Sequence, residues 1–350
     1  MKVASIVGAR PQFIKAAPVS LELRKRAREV LIHTGQHYDE RMSDVFFESL
    51  RIPEPDYQLA IGSGPHGRQT GEILARVEEV LEQEAPDRVL VYGDTNSTIA
   101  GALAAAKLQI PVGHVEAGLR SHNRTMPEEL NRVVTDHLST LLFCPTRNAV
   151  ENLASEGIAR GVHLVGDVMY DLALVSAQAA AKRPIRRELG LEAKGYVLAT
   201  LHRAANVDHA EPLTAILRAL STCGRPVVLP LHPRTRKSMT ALGLEAGPSV
   251  RIIEPTDYLD FLALLIDAAK VATDSGGVQK EAYFFGVPCV TMRDETEWVE
   301  TVEDGWNHLA GSDEAEVRRA LQTFAPSGTK GVSFGDGHAA ERIAELITGT

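Results

Sequence analysis

The chain is poor in cysteine, in aromatic residues and in long apolar runs. Its 350 residues include three cysteines and no Cys-x-x-Cys pair, which argues against a disulfide framework or a thiolate zinc site. No His-Glu-x-x-His or similar spacing occurs, so we expect no metal site. No stretch is long and apolar enough to cross a bilayer, and the apolar run at residues 1–8 is too short for a signal peptide. We therefore expect a cytoplasmic protein.

Positive charge is also scarce, because 37 Lys and Arg stand against 46 Asp and Glu and the formal net charge is −9. A general nucleic-acid binder needs a basic face to neutralise phosphates, so nucleic acid is not an expected partner. One basic run, residues 24–28, is interpreted as the solvated end of a helix, where the helix dipole favours cations.

Short β-branched runs alternate with longer amphipathic stretches, and this series occurs twice. The predicted strands are residues 2–7, 30–34, 88–92, 111–115 and 141–144, then 196–201, 226–230, 251–253, 271–273 and 288–291. The predicted helices are residues 14–28, 69–84, 97–107, 128–137, 212–221, 258–269, 278–285 and 339–347. Continuous apolar strands that alternate with helices indicate parallel sheets covered on both faces.

Two such series, in a chain too long for one core, predict an α/β protein with two doubly wound, Rossmann-like domains that face a cleft. We expect an N-terminal domain over residues 1–167, a C-terminal domain over 168–335, and a last helix within 336–350 that packs back on the N-terminal domain. Ligands of open parallel sheets bind beyond the carboxyl ends of the strands, so the functional residues should follow strands.

Three carboxylates are candidates for proton transfer. Asp94 ends one predicted strand, Glu116 ends the next, and Glu128 lies twelve residues further on. Neighbouring parallel strands bring such ends together, so we expect the acids to converge, with Arg132 nearby, in a site that moves protons beside an anion. Two of them also have simpler interpretations, since Asp94 suits a helix N-cap and Glu128 the first turn of a helix.

Basic side chains and histidines follow other predicted strands. Arg10 and Lys15 come after the first strand and enter a helix, where they would bind phosphate instead of serving as surface cations. His202 and Arg203 end the first strand of the second series and are candidate donors to a leaving diphosphate. His232 ends the next strand in the same way.

A Ser-Gly-Gly sequence opens a predicted helix directly after a strand. The N–H groups of Ser275, Gly276 and Gly277 would form a phosphate cradle at the helix start. Glu281, one turn later, would accept hydrogen bonds from ribose hydroxyls, and Arg293 after the next strand is a candidate sugar contact. The alternative is a helix start with an ordinary cap.

A formal Gly-x-Gly-x-x-Gly match at residues 62–67 is not interpreted as a dinucleotide-binding motif. It does not follow a first strand, and Pro65 stiffens the loop. We therefore expect no dinucleotide to bind at this segment, and we interpret it as a glycine loop near the cleft.

Taken together, the motifs resemble those of the non-hydrolysing UDP-N-acetylglucosamine 2-epimerases, which have the two-domain fold of the B-type glycosyltransferases. The matching sequences cover nearly the whole chain and are Gly8-Ala-Arg-Pro, Gly35-Gln-His, Gly93-Asp-Thr, His114-Val-Glu-Ala-Gly-Leu-Arg, Pro127-Glu-Glu, Asp274-Ser-Gly-Gly, Arg293 and Phe334-Gly-Asp-Gly. The combination of His-Val-Glu-Ala-Gly-Leu-Arg with Asp-Ser-Gly-Gly-x-Gln-x-Glu is specific to this family.

The resemblance implies reversible loss of UDP from C1 of the sugar, removal of the hydrogen at C2, and return of a proton to the other face. It also implies a UDP-sugar substrate, a homodimer and no cofactor. The catalytic residues are then Asp94, Glu116, Glu128 and His202. The candidate substrate-binding residues are Arg10, Lys15, Arg132, Arg203, Asn206, His232, Ser275, Gly276, Gly277, Glu281 and Arg293.

Departures from the family pattern leave the substrate open. Arg203-Ala-Ala-Asn replaces the usual Arg-Arg-Glu-Asn, and Glu297-Trp-Val-Glu replaces Glu-Arg-Pro-Glu. Several segments are similar to a branch that includes 2-epimerases of UDP-2,3-diacetamido-2,3-dideoxyglucuronate, which is an alternative substrate. Gln36 and His37 match part of a region that binds an activating UDP-sugar in some members. A glycosyltransferase of the same fold and a nucleotide-sugar sensor are alternatives of other classes, and three converging acids count against both.

Overall fold

The computed structural model describes residues 1–36 and 53–349, and of Arg10 it describes the backbone alone. The chain divides into two compact units, Met1–Leu174 with Val332–Thr350, and Val175–Gly331. His37, one of the two residues matched to an activator region, lies outside the described residues. Among the described residues no helix is both long and apolar enough to cross a membrane.

The first unit is built on a seven-stranded parallel sheet of order β3-β2-β1-β4-β5-β6-β7. Its strands are β1 (Lys2–Val7), β2 (Arg28–His33), β3 (Tyr57–Gln58), β4 (Arg88–Tyr92), β5 (Val112–Val115), β6 (Leu141–Cys144) and β7 (Val162–Leu164). Its helices include α1 (Arg10–Leu23), α2 (His66–Glu84), α3 (Asn96–Lys107), α4 (Pro127–Leu138) and α5 (Arg147–Ser155). The division between the units falls within α6 (Val168–Ala180).

The second unit is built on a six-stranded parallel sheet of order β10-β9-β8-β11-β12-β13. Its strands are β8 (Val197–Thr200), β9 (Val227–Pro230), β10 (Val250–Ile253), β11 (Lys270–Thr273), β12 (Cys289–Thr291) and β13 (Asn307–Leu309). Its helices include α7 (Ile185–Glu188), α8 (Ala204–Val207), α9 (Ala210–Ser221), α10 (Pro233–Leu242), α11 (Tyr258–Asp267), α12 (Gly276–Phe284), α13 (Val299–Glu303) and α14 (Glu314–Thr323). The last helix, α15 (Ala339–Thr348), belongs to the first unit.

The patterns of apolar residues explain these elements. Val3 and Ile6 of β1 are fully buried, as expected for a strand covered on both faces of its sheet. In α9, Leu213, Ile216 and Leu220 recur at three- and four-residue spacing and are fully buried, so one stripe of this helix packs on the core. The structure therefore consists of two α/β units of the doubly wound type, which confirms the predicted fold class.

Each sheet has a topological switch point. The strand order reverses between β1 and β4 in the first unit, and between β8 and β11 in the second. Connections leave such a point toward opposite faces of the sheet and open a crevice at the carboxyl ends of the strands. Gly8 and Gly93 follow β1 and β4, and Leu201 and Asp274 follow β8 and β11. Arg10, Asp94, His202 and Ser275 are therefore found next to these positions.

All ten predicted strands are present with bounds that differ by at most two residues. The prediction that a helix extends to Arg28 was wrong, because α1 ends before the basic run and Arg28 begins β2. The run is a connection whose charges are paired. Arg24 forms an ion pair with Glu29 at 2.7 Å. Arg26 forms one with Glu345 of α15 at 3.0 Å.

Candidate active site

Two acids lie where the neighbouring strands β4 and β5 end. Asp94 follows β4 after one residue, and Glu116 follows β5 directly. The strands pair in parallel with Tyr92 opposite Val115. The N–H of Gly93 extends the ladder by a 3.0 Å hydrogen bond to the carbonyl of Val115. Both acids therefore lie at the carboxyl end of the same sheet.

Glu116 has an unusual backbone conformation and is paired with a lysine. Its φ of 73° lies in the left-handed region, which costs a non-glycine residue about 1–3 kcal/mol. The residue is 8% exposed, and its carboxylate forms an ion pair with the ammonium group of Lys15 on α1. Lys15, a candidate substrate-binding residue, thus provides the counter-charge that a buried carboxylate needs.

Asp94 is held by an arginine that bridges it to a second acid. One terminal nitrogen of Arg132 contacts Oδ2 of Asp94, and the other lies 2.9 Å from Oε2 of Glu129. The side chains of Arg132 and Glu129 are 4% and 3% exposed, so the planar guanidinium contacts the two carboxylates from a buried position. Asn131 donates a 2.9 Å hydrogen bond to the main-chain carbonyl of Asp94. Arg132, a candidate substrate-binding residue, therefore fixes the position of Asp94.

Glu129, which the sequence did not single out, organises the loop before α4. Its carboxylate accepts hydrogen bonds from the N–H groups of Ser121 and His122 at 2.9 and 3.0 Å. Burial would raise the pKa of Glu129, but these donors and Arg132 hold the pKa below its usual range. Glu128, in contrast, is exposed in the first turn of α4, and its side chain makes no hydrogen bond or ion pair with the described residues. Its catalytic role stays a prediction.

Gln12 ties the turn after β1 to the end of β4. Its side-chain oxygen accepts from the N–H groups of Gly8 and the next residue at 2.8 and 3.0 Å, and its amide donates to the carbonyl of Tyr92 at 2.9 Å. A Cβ at Gly8 would overlap the hydroxyl oxygen of Thr34, so the turn requires glycine. Arg10 begins α1 at this turn, but its side chain lies outside the described part of the chain.

In the second unit, the buried Asp274 organises the loop after β8. Its carboxylate accepts from the backbone N–H groups of His202 and Arg203 at 3.0 and 2.9 Å. The side-chain amide of Asn206 donates to the same carboxylate at 3.2 Å and to the carbonyl of Met292 at 2.9 Å. Asn206, a candidate substrate-binding residue, therefore braces this loop through its amide nitrogen.

His202 and His232 lie next to each other at the ends of β8 and β9. Their ring centroids are 5.5 Å apart. Loss of hydration lowers the pKa of His202, while Asp274, 3.3 Å from its Nδ1, acts in the opposite direction. His232 is the N-cap of α10, and its Nδ1 accepts from the N–H of Arg234 at 3.2 Å. The structure thus brings these two candidates together.

The start of α12 has the form of a phosphate cradle. Ser275 is the N-cap, and its hydroxyl makes no capping hydrogen bond. Gly276 and Gly277 follow and are partly exposed. A Cβ at Gly276 would lie 3.2 Å from the indole nitrogen of Trp298, so a larger residue would crowd this turn. The first N–H groups and the helix dipole favour an anion here. Glu281, one turn later, is 4% exposed.

Arg293 and Arg203 share one buried acid. Arg293 lies 3.0 Å from Oε2 of Glu297, and Arg203 lies 3.6 Å from Oε1. Burial would raise the pKa of Glu297, but the two guanidinium groups hold the pKa below its usual range. Both arginines, which are candidate substrate-binding residues, are therefore positioned by Glu297.

Comparison with known proteins gives consistent results over the whole chain. Residues 20–348 match the family model described as UDP-N-acetylglucosamine 2-epimerase. A UDP-N-acetylglucosamine 2-epimerase homolog of Methanococcus maripaludis is 52% identical over 99% of each chain. The UDP-2,3-diacetamido-2,3-dideoxy-D-glucuronate 2-epimerase of Pseudomonas aeruginosa is 51% identical over 99% of each chain. The crystal structure of Methanocaldococcus jannaschii UDP-GlcNAc 2-epimerase, in complex with UDP-GlcNAc and UDP, has a TM-score of 0.92 at 43% identity and covers 100% of both chains.

Proposed function

The chain belongs to the UDP-N-acetylglucosamine 2-epimerase family of isomerases, and we propose that it interconverts UDP-N-acetylglucosamine and UDP-N-acetylmannosamine without hydrolysing them. The observation that carries this proposal is the pair of acids after β4 and β5, each held by a cation. Glu116 is paired with Lys15, and Asp94 with Arg132. Epimerisation requires a proton to leave one face of C2 and another to arrive on the opposite face, which calls for acids in separate, fixed places.

The chemistry explains why the nucleotide takes part. The hydrogen at C2 has no neighbouring carbonyl to acidify it, so a base alone removes it with difficulty. Breaking the C1–O bond to UDP builds positive charge at C1, and loss of the C2 proton then gives a C1–C2 double bond and free UDP. UDP adds back at C1 and a proton is delivered to the opposite face of C2, which gives the epimer. Atoms and electrons balance without an oxidant or a water molecule.

The described residues suit these steps. Asp94, Glu116 and Glu128 would share the proton transfers at C2. Lys15 and Arg132 hold Glu116 and Asp94 in fixed positions, as general acid–base catalysis requires. His202 and the start of α12 would take the diphosphate, because hydrogen-bond donors there stabilise the negative charge that develops as UDP leaves. The buried Glu281 would accept from ribose hydroxyls.

Proton NMR of the protein with UDP-N-acetylglucosamine in deuterated water tests the proposal. We expect UDP-N-acetylmannosamine that carries deuterium at C2, and no free sugar. Free N-acetylmannosamine would indicate a hydrolysing enzyme. A nucleotide that keeps both its C2 hydrogen and its configuration would contradict epimerisation of this substrate.

One observation favours a second substrate. The Pseudomonas aeruginosa enzyme named for UDP-2,3-diacetamido-2,3-dideoxy-D-glucuronate is 51% identical, whereas the Methanocaldococcus jannaschii UDP-GlcNAc enzyme is 43% identical. The same NMR experiment with the diacetamido uronate nucleotide decides between them. Exchange at C2 with this nucleotide, and none with UDP-N-acetylglucosamine, would assign the second substrate to the same reaction and the same residues.

We also propose that the protein acts as a cytoplasmic homodimer, as the family resemblance implies. Its three cysteines are buried and unpaired, which suits a reducing compartment. Sedimentation velocity at the protein concentrations used for the activity assay tests the dimer. A single monomeric species in active samples would contradict it.

A further inference from the structure

A buried histidine close to the loops of the two acids faces two hydrogen-bond acceptors. His114, on β5, is fully buried. Its Nδ1 lies 2.7 Å from a carboxylate oxygen of Asp136, and its Nε2 lies 2.8 Å from the carbonyl oxygen of Gly93. A neutral imidazole has one N–H and can donate to only one of these acceptors. With Asp136 ionised, both contacts are hydrogen bonds only if the ring carries two N–H groups and a positive charge.

The surroundings supply the negative charge that a buried imidazolium requires. Asp136, on α4, also accepts from Arg120 at 2.7 Å and from the N–H of Gly118 at 3.2 Å. Arg120 in turn makes two 2.7 Å hydrogen bonds to Glu156, just after α5. Burial would raise the pKa of Asp136, but His114 and Arg120 hold the pKa below its usual range. The charges therefore alternate along a hydrogen-bonded row, which is the arrangement that buried ions need.

The hydrogen-bonded row of His114, Asp136, Arg120 and Glu156 contacts both loops that carry the acids. The carbonyl of Gly93, which faces the histidine ring, directly precedes Asp94. The N–H of Gly118, which donates to Asp136, follows Glu116 by two residues. One set of hydrogen bonds thus connects the main chain beside each acid to the same buried carboxylate and ring.

We propose that His114, in its doubly protonated form, is a positioning residue that sets the placement of Asp94 relative to Glu116. It acts on Asp94 through the carbonyl of Gly93, whereas the N–H of Gly118 on the loop of Glu116 is held by Asp136, which Arg120 also holds in place. The inference rests on the proposed function, since it concerns the same two acids. The competing explanation is that the pair of His114 and Asp136 only stabilises the fold.

Two replacements of similar shape separate the two contacts of His114. In His114→Gln, the amide nitrogen takes about the place of Nε2 and can donate to Gly93, while the contact with Asp136 is lost. In His114→Asn, the amide nitrogen takes about the place of Nδ1 and can donate to Asp136, but it does not reach Gly93. The same two substitutions at His163 are matched controls, because this histidine lies on the edge strand β7, away from both acids.

If His114 positions the acids, kcat of His114→Asn should fall roughly tenfold further than kcat of His114→Gln, with KM changed less than about threefold. Misplaced acids would also let the unsaturated sugar escape before reprotonation, so free UDP should accumulate with His114→Asn. Both His163 variants should keep the wild-type kcat. A role in stability alone predicts that both His114 variants lower Tm and have equal kcat when assayed well below Tm. Equal kcat would overturn the proposal.

A second measurement uses the wild-type protein and does not depend on activity. With ¹⁵N-labelled histidine, the doubly protonated His114 gives two ring N–H signals near neutral pH, assigned by their loss in His114→Gln. A single N–H would overturn the proposal even in an active epimerase. Two N–H signals in a protein that epimerises neither nucleotide would leave the charge assignment intact and refute the proposed function, so the two failures are distinguishable.

Discussion

The ammonium group of Lys15, on the first helix, forms an ion pair with the carboxylate of Glu116, 101 residues later in the chain. The two side chains are only 11% and 7% exposed. A carboxylate that leaves water without a partner favours its neutral form or destabilises the fold. The lysine therefore allows an ionised acid to lie at the end of β5, and it makes the chemistry of this acid depend on the packing of α1 against the sheet.

Replacing Glu116 by glutamine tests its catalytic role. We expect Glu116→Gln to lower kcat about 100-fold or more, because an amide neither removes nor delivers the proton at C2. UDP affinity, measured by calorimetry, should stay within about threefold of wild type, because the predicted diphosphate contacts are on other residues. Glu151→Gln is the matched control, since Glu151 is exposed on α5. Full epimerisation by Glu116→Gln would contradict the catalytic role assigned to Glu116.

A lysine should not replace the guanidinium group of Arg132 in catalysis. Arg132 contacts Asp94 with one terminal nitrogen and Glu129 with the other, and a lysine has one point charge that cannot hold both carboxylates in place. We expect Arg132→Lys to lower kcat roughly tenfold or more, with a smaller change in KM. Steady-state kinetics measure both constants. A large rise in KM with kcat unchanged would show instead that Arg132 serves mainly to bind substrate.

A methyl group at Gly93 should disturb the pair of Lys15 and Glu116. Gly93 has φ +62°, and a Cβ there would lie 2.9 Å from the ammonium nitrogen of Lys15 and 3.4 Å from the Glu116 carboxylate. Because the end of a lysine side chain is mobile, Gly93→Ala should displace this nitrogen from Glu116 and lower kcat roughly tenfold.

The matched control for this substitution is Gly190→Ala. Gly190 has φ +61° but has nothing within 4 Å of the added carbon. Both variants should lose about 1 kcal/mol of stability from the left-handed backbone, seen as a Tm lower by a few degrees. Only Gly93→Ala should lose turnover. Equal kcat for Gly93→Ala and Gly190→Ala would disprove the displacement of Lys15.

Asp171 should make the stability of the protein fall as the pH rises. Its Oδ2 accepts from the N–H of Ala340 at the start of α15 at 2.7 Å, while its Oδ1 is buried without a hydrogen-bond partner among the described residues. Burial raises the pKa of Asp171 from 3.8 to about 6. Between these values the folded protein holds a proton that the unfolded chain releases, so stability decreases through this window with increasing pH.

Asp171→Asn keeps an acceptor for α15 and removes the titration. We therefore expect the Tm of Asp171→Asn, relative to wild type, to increase by a few degrees between about pH 4 and pH 8. Differential scanning fluorimetry across this range measures the difference, and the exposed-acid variant Glu151→Gln should follow the wild-type curve. Parallel curves for Asp171→Asn and wild type would mean that Asp171 does not titrate in this window.

Most strands could be predicted from the sequence, but three edge strands could not. β3, β7 and β13 were missed; they are two, three and three residues long. Each pairs with a single neighbour at the edge of its sheet. An edge strand is not covered on all sides and needs no continuous apolar run, so these short segments carry little of the signal by which the central strands were identified.

The candidate acids could be located from the sequence, while the groups that hold them could not. Glu128 and Glu129 are adjacent and chemically alike, and both suit the first turn of a helix. Only the structure shows that Glu129 is 3% exposed and bound by the loop before α4, while Glu128 is exposed. The direction in which each residue points around the helix axis, and not its type, decides which of the two carboxylates faces the protein.

The sequence by itself determined the central strands and the positions of Asp94 and Glu116 just after two of them, because apolar runs and the residues that end them are local features. It did not determine which cation would meet which acid. Lys15 is 101 residues from Glu116, and Arg132 is 38 residues from Asp94. These side chains meet only when β1, β4 and β5 lie side by side, and this order is not contained in any local period. For the same reason, only the tertiary structure decided that His114 would face two acceptors at once.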